Sequence, residues 1–62
     1  MANRVKKFRL KQGLTQEELA AKLKISPGYL SKVERGEVDP SLKLAVRIAK
    51  SLRCTLNDLF FN

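Results

Sequence analysis

The chain has 62 residues, with 13 Lys and Arg against 6 Asp and Glu, a formal charge of +7, one cysteine and no histidine. A chain this short allows one domain with a small core, and its single thiol, with no histidine to join it, excludes an internal disulfide, a metal cluster and a histidine-based catalytic pair. The opening MANRVKK lacks the apolar run of a signal peptide and no stretch is long enough to span a bilayer, so a cytoplasmic protein is expected, and its positive field favours a polyanionic partner, with simple solubility as the plain alternative.

The first helix is expected over residues 3–12. Val5, Phe8, Arg9 and Gln12 share one stripe, while Arg4, Lys6, Lys7 and Lys11 lie elsewhere on a basic, solvated surface. Arg9 is out of place on the inward stripe, because a buried guanidinium needs a carboxylate. Gly13 ends this helix. A basic helix lying on a membrane would need bulky residues free to insert, and here the apolar faces are committed to a core.

Thr15 followed by Glu18 forms a capping box and starts a second helix, Gln16 to Leu23, with Leu19, Ala20 and Leu23 inward. Glu17 and Glu18 in its first turn complement the helix dipole, as Lys22 and Lys24 do near its end. Gln16 points out of the core, where its amide suits a phosphate oxygen or a base edge, although a plain exposed glutamine reads the same way.

Only Lys24 and Ile25 remain before Ser26 and Pro27 start a third helix, residues 27–35, that Gly36 stops. Two capped helices joined so tightly form a helix-turn-helix rather than a parallel pair. Leu30 and Val33 face inward with Glu34 at the edge of their stripe. Opposite stand Gly28, Lys32 and Arg35, flanked by Ser31, with Tyr29 between the faces. An acid-free face with a small residue first and donors after it suits the major groove. Glu34, the only acid on this helix, is the partner expected for Arg9.

Residues 37–40 form a polar loop, with Asp39 before Pro40 as a turn. Ser41 caps a fourth helix, Leu42 to Leu52. Its polar residues Lys43, Arg47, Lys50 and Ser51 share one face, and Leu42, Leu44, Ala45, Val46, Ile48, Ala49 and Leu52 make it the most buried helix. Cys54 is expected to be a small buried hydrophobe. Thr55 caps a last helix, residues 56–61, with Asp58 closing a further capping box. Leu56, Leu59, Phe60 and Phe61 exceed what so short a helix can cover, so part of that surface is available to a second subunit.

Arg9, the run GLTQEELA at 13–20, Ser26, Tyr29 and Ser31, ERG at 34–36, PSL at 40–42 and LNDLF at 56–60 are together specific in this order and spacing. On them the chain resembles the phage-repressor-type (Cro/repressor, Xre) helix-turn-helix family of prokaryotic transcriptional regulators. The resemblance implies an all-α, compact five-helix, lambda-repressor-like DNA-binding domain over residues 1–62. It implies a homodimer that docks the third helix in the major groove of double-stranded DNA at a palindromic operator. Gln16 would contact the DNA backbone, and Gly28, Ser31 and Lys32 would read bases, with Pro27 and Tyr29 beside them and Lys24, Ser26 and Arg35 completing the DNA-facing set. An Arg9–Glu34 pair is familiar in the family, and Leu56, Leu59, Phe60 and Phe61 would form the dimer interface. No catalytic residue, metal, cofactor or small-molecule ligand is implied.

Two positions depart from the family pattern. Glycine is frequent where this chain has Lys24 and Arg53; if both turns keep a left-handed residue, each side chain there costs on the order of 1 kcal/mol. Pro27 and Gly28 also offer no side-chain donors, which shifts the reading of sequence to Lys32, Ser31, Tyr29 and DNA shape. The same fold could instead serve as a protein-interaction module, antitoxin-like or an accessory subunit. An enzyme is a poor reading, because Ser31 with Lys32 and Ser51 with Lys50 are helix neighbours that point in different directions.

Overall fold

A computed structural model describes residues 3–61, which leaves out Met1, Ala2 and Asn62. Among the described residues five helices follow one another: α1 (Val5–Lys11), α2 (Gln16–Leu23), α3 (Pro27–Glu34), α4 (Leu42–Leu52) and α5 (Leu56–Phe60). α2 and α4 have the expected bounds, whereas α1 is shorter at both ends and α3 and α5 each stop one residue early. α1 begins late because Asn3 is a cap: its Oδ1 accepts from the Val5 amide at 3.0 Å. Phe61 leaves α5 with an extended backbone, φ −131° and ψ 161°.

The other four starts follow the chain's own caps. The Thr15 hydroxyl accepts from the Glu18 amide at 3.0 Å while Glu18 Oε1 accepts from the Thr15 amide at 2.8 Å. Thr55 and Asp58 repeat this exchange at 3.0 and 2.9 Å. Ser26 and Ser41 accept from the amides of Tyr29 and Leu44 at 3.0 and 3.2 Å. In both boxes the backbone amide of the threonine, then its hydroxyl, holds the carboxyl group of Glu18 or Asp58 below the usual carboxylate range.

The helix ends share one device. After each of the first four helices an amide bonds back five residues and its predecessor bonds back three: Leu14 to Arg9 and Gly13 to Leu10, Ile25 to Ala20 and Lys24 to Ala21, Glu37 to Lys32 and Gly36 to Val33, Cys54 to Ala49 and Arg53 to Lys50. This is the Schellman pattern, whose turning residue is left-handed. Gly13 and Gly36 meet that demand freely at φ 72° and 75°. Lys24 and Arg53 meet it under strain, at φ 58° and 56°.

Val5, Leu19, Leu23, Leu30, Val33, Ile48, Leu52 and Leu59 are fully buried and draw on all five helices. α4 has the wide buried face expected, through Leu44, Ala45, Ile48, Ala49 and Leu52, but Leu42 departs from it and is 73% exposed. Leu42 occupies the first turn, beyond the reach of the core, and lines a surface cleft instead. Cys54 is half-buried against the core, where burial and then the charge of Asp58 push its thiol up, away from the thiolate.

Polar side chains remote in sequence also bond to carbonyls at helix ends. Asn3 Nδ2 donates to the Val33 carbonyl at 2.7 Å, Arg47 Nη2 to Leu23 at 2.6 Å and Gln12 Nε2 to Leu52 at 3.2 Å. Arg4 Nη1 donates to Asp58 and Phe61 at 3.2 and 2.8 Å. Arg4 and Arg47 are therefore ties between helices rather than members of a solvated face. Each satisfies carbonyls at or just after a helix C-terminus, which the helix itself leaves unpaired.

The expected ion pair is present and buried. Arg9 Nε donates to Glu34 Oε2 at 2.7 Å and Nη2 to Oε1 at 3.3 Å, with the two side chains 7% and 3% exposed. Arg9 Nη1 also donates to the Leu14 carbonyl at 2.8 Å. Truncating either partner strands a charge in the core. Arg9→Ala should lower the unfolding free energy by roughly 3 kcal/mol in a denaturant titration; a change within error would show that water already compensates Glu34.

Candidate nucleic-acid interface

The outer side of the α2–α3 unit carries the residues expected to face a polyanion. Ser26, Pro27, Gly28, Tyr29, Lys32 and Arg35 are exposed along α3 and its cap, with Ser31 half-buried at their edge and Lys24 exposed in the turn before them. Tyr29 retains 37% exposure, as a residue between two faces would. Glu34 points the other way, into the pair with Arg9, so α3 itself presents no acid outward.

Gly28 is informative because nothing inside the domain requires it. A Cβ there would meet no atom within 4 Å. Glycine is a poorer helix residue than alanine, by less in the first turn, where Gly28 lies, than the about 1 kcal/mol of a helix interior. No packing repays that cost, which leaves the open space outside the helix, where a docked surface could approach the backbone. Ser26 is partly spent: its oxygen caps α3 by accepting from Tyr29, and its hydrogen remains to donate.

Gln16 differs from expectation. It lies half-buried at the start of α2, and its Nε2 turns to Glu34, donating to Oε1 at 3.0 Å. It does not simply point out of the core. A glutamine amide has two N–H donors; the bond to Glu34 holds one and aims the other. The Glu34 carboxylate thereby serves Arg9 and Gln16 together, joining α1, α2 and α3 at a single group.

Arg35 also differs. Its Nε pairs with Glu37 Oε2 and its Nη1 bonds to the Ser31 hydroxyl at 2.5 Å. Glu37, from the loop after α3, thus brings a carboxylate to a face expected to be free of acid. The pairing pulls Glu37 below and pushes Arg35 above their ordinary ranges, chiefly through the hydrogen bond between them. Gly36 makes this possible by turning the chain, after which the Glu37 amide bonds to the Lys32 carbonyl at 2.9 Å. The spacing of Arg35 and Glu37 alone carried no sign of it.

A second surface lies on the α4–α5 side. Leu42 and Phe61, 59% exposed, join Asp39, Pro40, Ala45, Leu56 and Phe60 around a cleft of about 270 Å³. Leu59 is not part of it: expected among the subunit-contact residues, it is fully buried because its side of α5 closes the core. Leu42, from α4, lines the cleft instead. Among the described residues no His/Cys/Asp/Glu group could hold a metal ion, and no helix is long and apolar enough to cross a membrane.

Comparison with known proteins is consistent across the chain. A family model described as helix-turn-helix matches residues 5–59. An uncharacterised HTH-type transcriptional regulator of Methanocaldococcus jannaschii, MJ0272, is 45% identical over 60 residues, covering 97% of this chain and 91% of its own. Among solved structures, the restriction-modification controller protein C.AhdI of Aeromonas hydrophila superposes with a TM-score of 0.83 at 33% identity, over 92% of this chain and 86% of its own. SinR, a master regulator for biofilm formation solved in complex with DNA, superposes at 0.79 and 29% identity, over 87% of each chain.

The turn between α2 and α3 offers a direct test of whether a strained residue is kept for its charge. Lys24→Gly should raise the unfolding free energy by roughly 1 kcal/mol, by removing the left-handed penalty, and should weaken binding to duplex DNA at low salt. Greater stability with unchanged binding would deny Lys24 any role at the interface.

Proposed function

The chain belongs to the Xre/Cro-type helix-turn-helix family of DNA-binding transcriptional regulators, and from that premise we propose that it is a repressor that docks α3 in the major groove of a palindromic operator as a homodimer. The observation that carries this reading is the outward face of α3, on which the helix itself presents no acid, on a helix that the Arg9–Glu34 pair holds rigidly to its scaffold. Readout of this kind needs donors held in place within the groove, with phosphate contacts setting the register.

The side chains divide into two roles. Lys32 and Ser31 read base edges, with Tyr29 and Pro27 packed beside them and Gly28 letting the backbone come close. Gln16, Lys24, Ser26 and Arg35 hold phosphates, Gln16 through the N–H that its bond to Glu34 leaves free. An excess of seven positive charges supplies the sequence-independent part of the affinity. Such a regulator works in the cytoplasm and needs no cofactor. Subunits meet through Leu42, Leu56, Phe60 and Phe61: the exposed apolar residues of one cleft, matched with those of a second copy, remove from water a surface that a lone domain leaves open.

Selection from random duplexes, followed by titration at several salt concentrations, tests the reading. One palindromic site should be enriched, and the logarithm of its affinity should fall linearly with the logarithm of salt, with a slope of about −0.9 for each phosphate neutralised. Lys32→Ala should change the preferred base at one position of each half-site, whereas Gln16→Ala should weaken all sequences alike. No sequence preference, together with tight binding to a co-expressed protein, would instead favour an interaction module of the same fold.

Sedimentation checks the subunit contact separately. Leu42→Glu with Phe61→Glu should give a monomer that binds the full palindrome roughly a hundredfold more weakly, since linked binding is lost, while a single half-site is bound as before. A dimer that survives both changes would move the interface elsewhere.

A further inference from the structure

We propose that Glu37, outside the helix-turn-helix, sets what Ser31 can read, by fixing Arg35 so that the Ser31 hydroxyl donates to a base in preference to accepting from one. The inference rests on α3 entering the major groove and names a specificity device within that site.

A serine hydroxyl in the groove is an ambiguous reader, because it can donate or accept and so tolerates either kind of base edge. Here the ambiguity is narrowed from behind. Arg35 lies one turn after Ser31 and its Nη1 bonds to the Ser31 oxygen. A guanidinium is a donor only, so Ser31 must accept that bond. Its hydrogen must then point elsewhere, and among the described residues it meets no acceptor. One lone pair is thereby taken, and the positive guanidinium beside the other disfavours the approach of a base amino group, so what Ser31 offers outward most readily is its hydrogen. A guanine N7 or O6, an adenine N7 or a thymine O4 can take it; the amino groups of cytosine and adenine cannot.

Arg35 would not hold this position unaided, since a long exposed side chain has many rotamers. Glu37 restrains it by pairing with Nε, the end of the fork nearest the stem. Glu37 is itself placed by the backbone: Gly36 turns at φ 75° and the Glu37 amide bonds to the Lys32 carbonyl at 2.9 Å. The chain carboxylate, guanidinium, hydroxyl therefore starts from a fixed point and ends at the groove. Exposed pairs of this kind contribute little to stability, so Glu37 is a positioning residue whose removal should leave the fold intact. The device also suits a helix whose leading positions, Pro27 and Gly28, have no side-chain donors.

The test uses the full chain and the site obtained by selection. Ser31→Ala first identifies the base pair that Ser31 reads, as the position where the preference flattens. All four base pairs are then placed there and bound to the wild type, Glu37→Ala and Glu37→Gln. The wild type should prefer an acceptor edge by roughly tenfold. Both variants remove the same charge and should strengthen binding to every sequence alike, but only Glu37→Ala should lose the preference. Glu37→Gln keeps an acceptor for Arg35 and should retain most of it. Equal preference in all three proteins would overturn the proposal, as would equal loss in both variants, which would make the effect one of charge, or a Ser31→Ala profile unchanged at every position. A wild type with no sequence preference would overturn the DNA reading itself, and this inference with it.

Discussion

The Glu34 carboxylate is the group on which the arrangement depends. It lies almost wholly out of water, and its two oxygens accept from two nitrogens of Arg9 and from the amide of Gln16. Arg9 in turn holds the Leu14 carbonyl in the chain leading to α2. A buried ion pair is not in itself strong evidence of stability, because well-packed apolar residues often do as well. Its value here is geometric. Leucines in the same place would hold α1 to α3 through contacts tolerant of sliding, whereas a bidentate pair admits one register. The helix that would enter a groove is thereby fixed to the two helices behind it.

The same preference for specified polar ties recurs at the helix ends. Among the described residues eight large side chains and Ala20 are fully buried, a modest core for five helices, and short helices expose many unpaired carbonyls for their length. Asn3, Arg4, Gln12 and Arg47 satisfy those carbonyls from residues between 24 and 57 positions away in the chain. Each bond closes a long loop, and all but the one to Phe61 do so at partly buried positions. Against these gains stand two left-handed residues that bear side chains, Lys24 and Arg53. One lies beside the surface expected to face DNA, and the other caps the carbonyl end of α4, where positive charge interacts favourably with the helix dipole. A cost in backbone conformation is thus accepted at points where charge has a use.

Helix beginnings were readable and helix ends only partly so. Thr15 with Glu18, Ser26 with Pro27, Ser41 and Thr55 with Asp58 announce four starts through bonds made within four residues, so local sequence contains the whole interaction. Asn3, the start of α1, was missed because its cap lies one residue before the usual position. Gly13 and Gly36 marked two stops, but the same motif after α2 and α4 uses lysine and arginine, which no propensity would suggest; the family resemblance pointed there. The residues expected to face DNA were legible as one helical face. Their partners were not: Gln16 was read as outward and bonds to Glu34, and Arg35 was read as free and bonds to Glu37.

What the amino-acid order determined by itself is whatever repeats at helical spacing or closes within one turn: the number of helices, the caps, the inward stripes and the presence of one misplaced arginine and one misplaced glutamate. Only tertiary structure decided which long side chains end in solvent and which end on a distant carbonyl. It placed Leu59 inside and Leu42 outside, and carried Arg4 to the last helix and Arg47 to the end of α2. The reason is physical. An arginine or glutamine on a helix surface sweeps a wide arc, and which acceptor it finds depends on elements 20 or more residues away, whereas the faces that bring those elements together are written locally, in the period of the apolar residues.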